Sequence, residues 1–285
     1  GLIFSKAFTE QARKGGKLNG NTLLHYHRML SSIFTKAVQW GIVQDNPVKR
    51  AEPPKGEEVK VSYLEESDVA RLLAALPDAP SQYSTIIQLA LFTGMRRGEI
   101  CGLRWSDVDF EKSTISVNRT SEWIPHEGII FTPPKTKASN RTFKVGPNCM
   151  DLLREYQLFQ KAERLKVGSQ WAKTVKIENG TTVQNDLLFT RWDGTPLDLN
   201  KVTTWFPIFL REHNLPEVTI HSLRHTYAGL MIAAHVPVTT VSGRLGHART
   251  STTTDIYAGF IRTADAAAAD AMEGVFNRIR EKNHA

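Results

Sequence analysis

The chain has 285 residues, 36 lysines and arginines against 29 aspartates and glutamates, and a formal net charge of +7. That is material for one large domain or two unequal ones, and the basic excess suits a polyanionic partner. Two cysteines, Cys101 and Cys149, exclude a disulfide framework or a cysteine-rich zinc site. The absence of an apolar run of about 18 residues or a signal-peptide pattern leaves membrane insertion and secretion unsupported, so a reducing, cytoplasmic setting is expected. The chain begins at Gly1 without an initiator methionine, and residues 2–13 read as the tail of a helix, so a longer N-terminal region is expected. Residues 19–40 carry a helical stripe of Leu23, Tyr26, Leu30, Ile33, Phe34, Ala37 and Val38, with Asn21 as the cap and Gly41 as the stop. Asp45-Asn46-Pro47 and the run from Pro53 to Glu58 form a polar, proline-bearing linker. This predicts a partial helical domain over 1–56 and a larger domain over 57–285.

A helix with Val69, Leu72, Leu73 and Leu76 inward is closed by Pro77. The next, Ser84 to Phe92, is apolar nearly all round and should run through the core until Gly94 stops it. That turn delivers Arg96 from a rigid mount, with Glu99 close behind. From Ser113 the period becomes alternating. Ile115 and Val117, Ile129 and Phe131, and Phe143 and Val145 predict a three-stranded antiparallel sheet, whose last connection carries Lys135, Lys137 and Arg141. Pro147 opens a helix with Leu152, Leu153, Tyr156 and Phe159 inward, while residues 168–185 carry no clear pattern. Asp198 starts a helix containing Val202, Trp205, Phe206 and Phe209, kinked at Pro207. The expected class is mainly α with a small antiparallel β-sheet.

The richest stretch follows. His221-Ser222-Leu223-Arg224 sets a titratable base and a cation three residues apart, on one face of a helix whose remaining pattern is apolar. Its polar first turn is a natural anion site. Downstream come a short helix from Val238 to Leu245, then Leu245-Gly246-His247, then Tyr257, then a last helix from Thr263 with Met272, Val275, Phe276 and Ile279 on one stripe. His221 and His225 share the four-residue spacing of a zinc-binding helix, but residue 222 is serine where such a motif places glutamate. No metal is expected.

Taken in order, Thr93-Gly94-Met95-Arg96 with Glu99, Lys135 in its hairpin, His221-x-x-Arg224, Leu245-Gly246-His247 and Tyr257 resemble the tyrosine recombinases of the phage-integrase family, most closely integrases of phages and conjugative transposons. The resemblance implies a catalytic domain preceded by part of a core-binding domain that packs on DNA opposite it. It implies site-specific integration or excision of a mobile element through a 3′-phosphotyrosine, without metal or cofactor. Tyr257 would be the nucleophile, and Arg96 and Arg224 would grip the non-bridging oxygens. His221 would be the base, Lys135 the general acid with Lys137 as runner-up, and His247 a phosphate donor. Glu99 would orient the arginine and histidine side chains. Lys137, Arg141, Arg97 and Arg244 are expected on the DNA. The partners implied are duplex attachment sites and a homotetramer, with helix 263–280 docking on a neighbouring subunit, in the bacterial cytoplasm at the nucleoid. Rival readings are a type IB topoisomerase and a DNA-binding protein without catalysis. The second explains the basic charge but not the order of His221, Arg224, His247 and Tyr257.

Overall fold

The computed structural model describes residues 18–57, 62–134, 139–177 and 180–246, so Lys135, Lys137, His247, Tyr257 and the helix expected from Thr263 lie outside the described residues. The chain divides into two compact units, residues 1–60 and 61–285.

In the first unit, α1 spans Gly20–Gln39 and is capped by Asn19 rather than Asn21. The Asn19 side chain accepts from the Asn21 amide at 2.7 Å, whereas the Asn21 side chain donates to the Glu57 carbonyl at 3.0 Å. Two asparagines so close in sequence look alike as caps, and the backbone geometry chooses between them. Asn46 is buried and holds the following turn. It donates to the Ser31 carbonyl at 2.9 Å and accepts from the Val48 amide at 3.0 Å. Of the apolar stripe on α1, Leu23 is buried while Tyr26, Ile33 and Val38 are exposed.

The second unit is built on α3 (Ser81–Thr93), which follows α2 (Glu66–Ala75). Ile86, Ile87, Leu89 and Ala90 are each fully buried, as a helix apolar on every side requires. Each of the large ones contributes roughly 1.5–3 kcal/mol by leaving water. α3 packs against α5 (Pro147–Val167) and α7 (Ile220–Ala233), and the short α4 (Arg97–Cys101) leaves its C-terminal end. On α5, Leu153 and Tyr156 face the core as expected, joined by Cys149 and Met150, but Phe159 is exposed. α6 (Leu199–Glu212) is capped by Asp198 and continues through Pro207. α8 spans Val238–Leu245.

The sheet differs from expectation. β2 (Thr114–Val117) pairs directly with β5 (Arg141–Lys144), Ile115 facing Phe143, and the third strand is the two-residue β1 (Val108–Asp109). The strand bearing Ile129 and Phe131, β4 (Gly128–Thr132), forms a separate hairpin with β3 (Thr120–Ile124). β1 is too short to show a period, and the Thr-Ser-Glu-Trp-Ile of β3 has too little alternation to mark a strand. Residues 168–185 hold another small hairpin, β6 (Thr174–Lys176) with β7 (Thr182–Gln184). Among the described residues no helix is long and apolar enough to cross a membrane.

Gly94 joins α3 to the site. Its φ is +63°, and a Cβ there would lie 2.4 Å from Tyr227 Cδ1 and 2.8 Å from Leu245 Cδ2. Gly94→Ala should therefore cost about 2–4 kcal/mol, combining a left-handed backbone with overpacking against buried side chains. Urea denaturation measures this. A variant as stable as the parent would show that α7 and α8 do not close on this turn.

Candidate active site

Arg96 is the N-cap of α4, where an exposed backbone amide needs an acceptor. Glu99, three residues on, supplies it. Its Oε2 accepts from the Arg96 amide at 2.9 Å while its Oε1 accepts from Arg96 Nη1 at 2.8 Å. The Glu99 side chain is 5% exposed and the Arg96 side chain 41%, so the carboxylate is the anchor and the guanidinium reaches solvent. A third residue completes the group: Arg141 donates through Nη1 to Oε1 at 3.2 Å and through Nη2 to Oε2 at 2.9 Å. Burial alone would raise the Glu99 carboxyl, but hydrogen bonding and charge from Arg141 and Arg96 outweigh it and hold Glu99 ionised below the usual range.

Arg224 comes from α7. The helix is capped by Thr219, which accepts from the Ser222 amide at 3.1 Å. The residue is 3% exposed, and its fork donates through Nη1 to the Gly94 carbonyl at 2.8 Å and through Nη2 to the Leu245 carbonyl at 2.6 Å. One side chain thereby joins the end of α3, α7 and the end of α8. Two ties from the chain's other side hold the same helix. Ser62 Oγ lies 2.9 Å from Ser222 Oγ, and the Leu64 amide donates to Thr226 Oγ1 at 2.9 Å.

His221 lies one turn before Arg224, its ring edge to face with that of His225 at 5.0 Å between centroids. Partial desolvation and the positive charges of Arg224 and Arg96 hold His221 below the ordinary histidine value. Desolvation, with His221 and Arg224 beside it, pushes His225 down to about 4. The unfolded chain takes up that proton near about 6.5, so between the two values the unfolded state binds more protons than the folded one. Above about 6.5 this group leaves stability independent of pH; below it, stability falls as the pH drops toward 4. His225→Gln should flatten that acid slope in urea melts run between about pH 4 and 8. An unchanged slope would assign the acid sensitivity to other groups.

The remaining expected cations are placed variously. Arg97 Nη1 donates to Thr203 Oγ1. Arg141, expected on the DNA, is turned inward with its side chain only 8% exposed, its guanidinium held by Glu99 and by the Arg244 carbonyl at 2.7 Å from Nε. Arg244 is half-buried. Its Nε donates to Tyr227 Oη at 2.5 Å, its Nη2 donates to the Lys144 carbonyl at 3.0 Å, and its guanidinium lies 5.1 Å from the Phe143 ring centre. The inward turn of Arg141 leaves no mark in the sequence, because a cation beside a basic loop reads as solvated. Cys101 and Cys149 are buried and unbridged, and burial pushes both thiols up to about 12. Among the described residues no three histidine, cysteine, aspartate or glutamate side chains gather as a metal site would require.

Residues 62–260 match the phage integrase family, and the chain belongs to that family. A tyrosine recombinase XerC-like protein of Caldanaerobacter subterraneus subsp. tengcongensis is 28% identical over 272 residues, covering 90% of this chain and 67% of that protein. The ICEBs1 integrase of Bacillus subtilis is 25% identical over 228 residues, covering 80% of this chain and 58% of that one. This chain therefore spans about three fifths to two thirds of these relatives' length. Among solved structures, the Tn1549 transposon integrase shares the fold at a TM-score of 0.70 and 21% identity, covering 84% of this chain and 75% of that one.

Proposed function

We propose that this chain is a site-specific recombinase that cuts and rejoins DNA strands through a covalent 3′-phosphotyrosine, integrating or excising a mobile element. The observation that supports the reading is the Arg224 fork on the Gly94 carbonyl, which ties the helix turn carrying His221 and Arg224 to the chain two residues before Arg96. Two arginines and a histidine drawn from these neighbouring turns would suit a phosphodiester, whose transition state gathers negative charge on the non-bridging oxygens.

In this reading Tyr257 attacks the scissile phosphorus, the bond to the 5′-oxygen breaks, and Lys135 or Lys137 supplies the proton to that oxygen. A phenol with an ordinary pKa of about 10 needs help to ionise. His221, held neutral at neutral pH, is the base, and Arg96 and Arg224 hold the oxygens. His247 donates to a phosphate oxygen, and Glu99 orients Arg96. No metal or cofactor takes part. The covalent ester conserves the bond energy, so rejoining needs no nucleotide.

Residues 1–56 serve as part of a core-binding domain and 57–285 as the catalytic domain. The partner is duplex DNA at attachment sites, bound as a homotetramer with helix 263–280 on a neighbouring subunit, in the bacterial cytoplasm at the nucleoid. Two solved structures of similar fold support the DNA partner and the multimer. The Tn1549 integrase was determined with transposon right-end DNA and with circular intermediate DNA, and a lambda integrase tetramer was determined on a Holliday junction.

The test is a nicked suicide duplex built on the sequence that the chain selects from a randomised pool. A denaturant-resistant adduct should accumulate, with and without chelator, and duplex affinity should fall steeply with salt as counterions leave the phosphates. Selective binding with no adduct would favour a non-catalytic DNA-binding protein. Loss of the adduct in chelator would require a metal mechanism.

A further inference from the structure

Arg141 is heavily engaged in the site. Three nitrogens of one fork make four bonds: Nε to the Arg244 carbonyl at 2.7 Å, Nη1 to Glu99 Oε1 at 3.2 Å and to the Ser139 carbonyl at 3.0 Å, and Nη2 to Glu99 Oε2 at 2.9 Å. The Phe143 ring lies 5.7 Å from its guanidinium carbon, and Arg244 lies over the same ring. A side chain so enclosed is poorly placed to contact a DNA phosphate.

Its charge matters as much as its bonds. Glu99 carries one negative charge and shares it between two guanidiniums, so the group Arg96, Glu99 and Arg141 has a net charge of +1. Without Arg141, Glu99 would cancel Arg96 outright and draw its guanidinium inward. The positive end aimed at a phosphate would then be neutralised.

We propose that Arg141 is a positioning residue. It satisfies Glu99 so that Arg96 keeps its charge for the scissile phosphate, and it pins the last turn of α8 to β5 through the Arg244 carbonyl. The role rests on the strand-cleaving reading above. A fork is needed because a lysine ammonium cannot span both carboxylate oxygens and a carbonyl in one plane.

The test uses the full chain and two suicide duplexes that differ only at the scissile phosphate, an ordinary diester or a methylphosphonate lacking one non-bridging charge. Arg141→Met should form adduct about 100-fold more slowly than the parent on the diester, the scale of losing one preorganised donor. Arg141→Lys, which keeps the charge but not the fork, should fall between the two. On the methylphosphonate the deficit should shrink to under about tenfold, because a neutral phosphate asks less of Arg96. Arg96→Ala should be rescued by the same methylphosphonate diastereomer, and duplex affinity should be little changed in both Arg141 variants.

An Arg141→Met chain that cleaves the diester at the parental rate would overturn the role, as would one equally impaired on both duplexes, which marks a purely structural part. If that variant shows no cooperative melt, Arg141→Lys against the same pair of duplexes decides. A parental chain that binds its selected site and forms no adduct on the diester would instead remove the strand-cleaving reading, and this role with it.

Discussion

Tyr257→Phe should lose the covalent DNA adduct altogether while still binding its selected duplex. The substitution removes one oxygen and nothing else, so the chain should still fold. The lost phenol is the group proposed to form the new bond to phosphorus, and none of the other groups proposed for the site would replace it as a tyrosine ester. Arginines cannot act as nucleophiles, since their guanidiniums stay protonated. His221 would give a phosphoramidate, which denaturant-resistant adduct mapping distinguishes from a tyrosine ester by acid lability. Removal of a nucleophile elsewhere costs roughly 10⁶-fold in rate, so a drop below about 10⁴-fold would already be surprising. The decisive measurement is peptide mapping of the adduct formed by the parent, combined with the suicide assay on the variant. An adduct that persists in Tyr257→Phe would move the nucleophile to another residue.

The second large effect is at Arg224. Arg224→Met keeps most of the side-chain volume but removes the donors to the Gly94 and Leu245 carbonyls. Charge-assisted bonds of this kind are each worth about 1.5–3 kcal/mol, so the variant should lose roughly 3–5 kcal/mol of unfolding free energy. Adduct formation should fall by about 10²–10³-fold as one oxyanion donor disappears. Arg224→Lys separates the two contributions. The ammonium restores a positive charge but cannot reach both carbonyls with one planar group, so stability should recover in part and cleavage very little. Denaturant melts of the three chains, read beside their cleavage rates, check this. Parental cleavage in Arg224→Lys would mean that charge alone suffices there and that the shape of the fork is irrelevant.

Local pattern was enough for much of the architecture. The all-apolar run before Gly94 gives a core helix, the polar turn from His221 and its apolar continuation give α7, and Val238 to Leu245 gives α8 with the bounds expected. These elements are long or sharply punctuated, and their periods are set within a few residues. Short strands are different. β1 and β3 earn their place by pairing with β2 and β4, and pairing is invisible to a window shorter than the loop between partners.

The order of Arg96, His221, Arg224, His247 and Tyr257 along the chain is legible in the sequence, and the roles proposed for them rest on it. What the chain could not reveal alone is how the cations differ. Arg96 reaches solvent, Arg224 is buried under two carbonyls, and Arg141 faces inward to Glu99. As letters they are the same residue. Their separate roles arise from hydrogen bonds that cross 130 residues to Gly94 and 103 residues to Arg244, and only closure of the fold brings those acceptors within reach. A side chain's charge is a property of the residue, but its direction and partners belong to the packed tertiary structure.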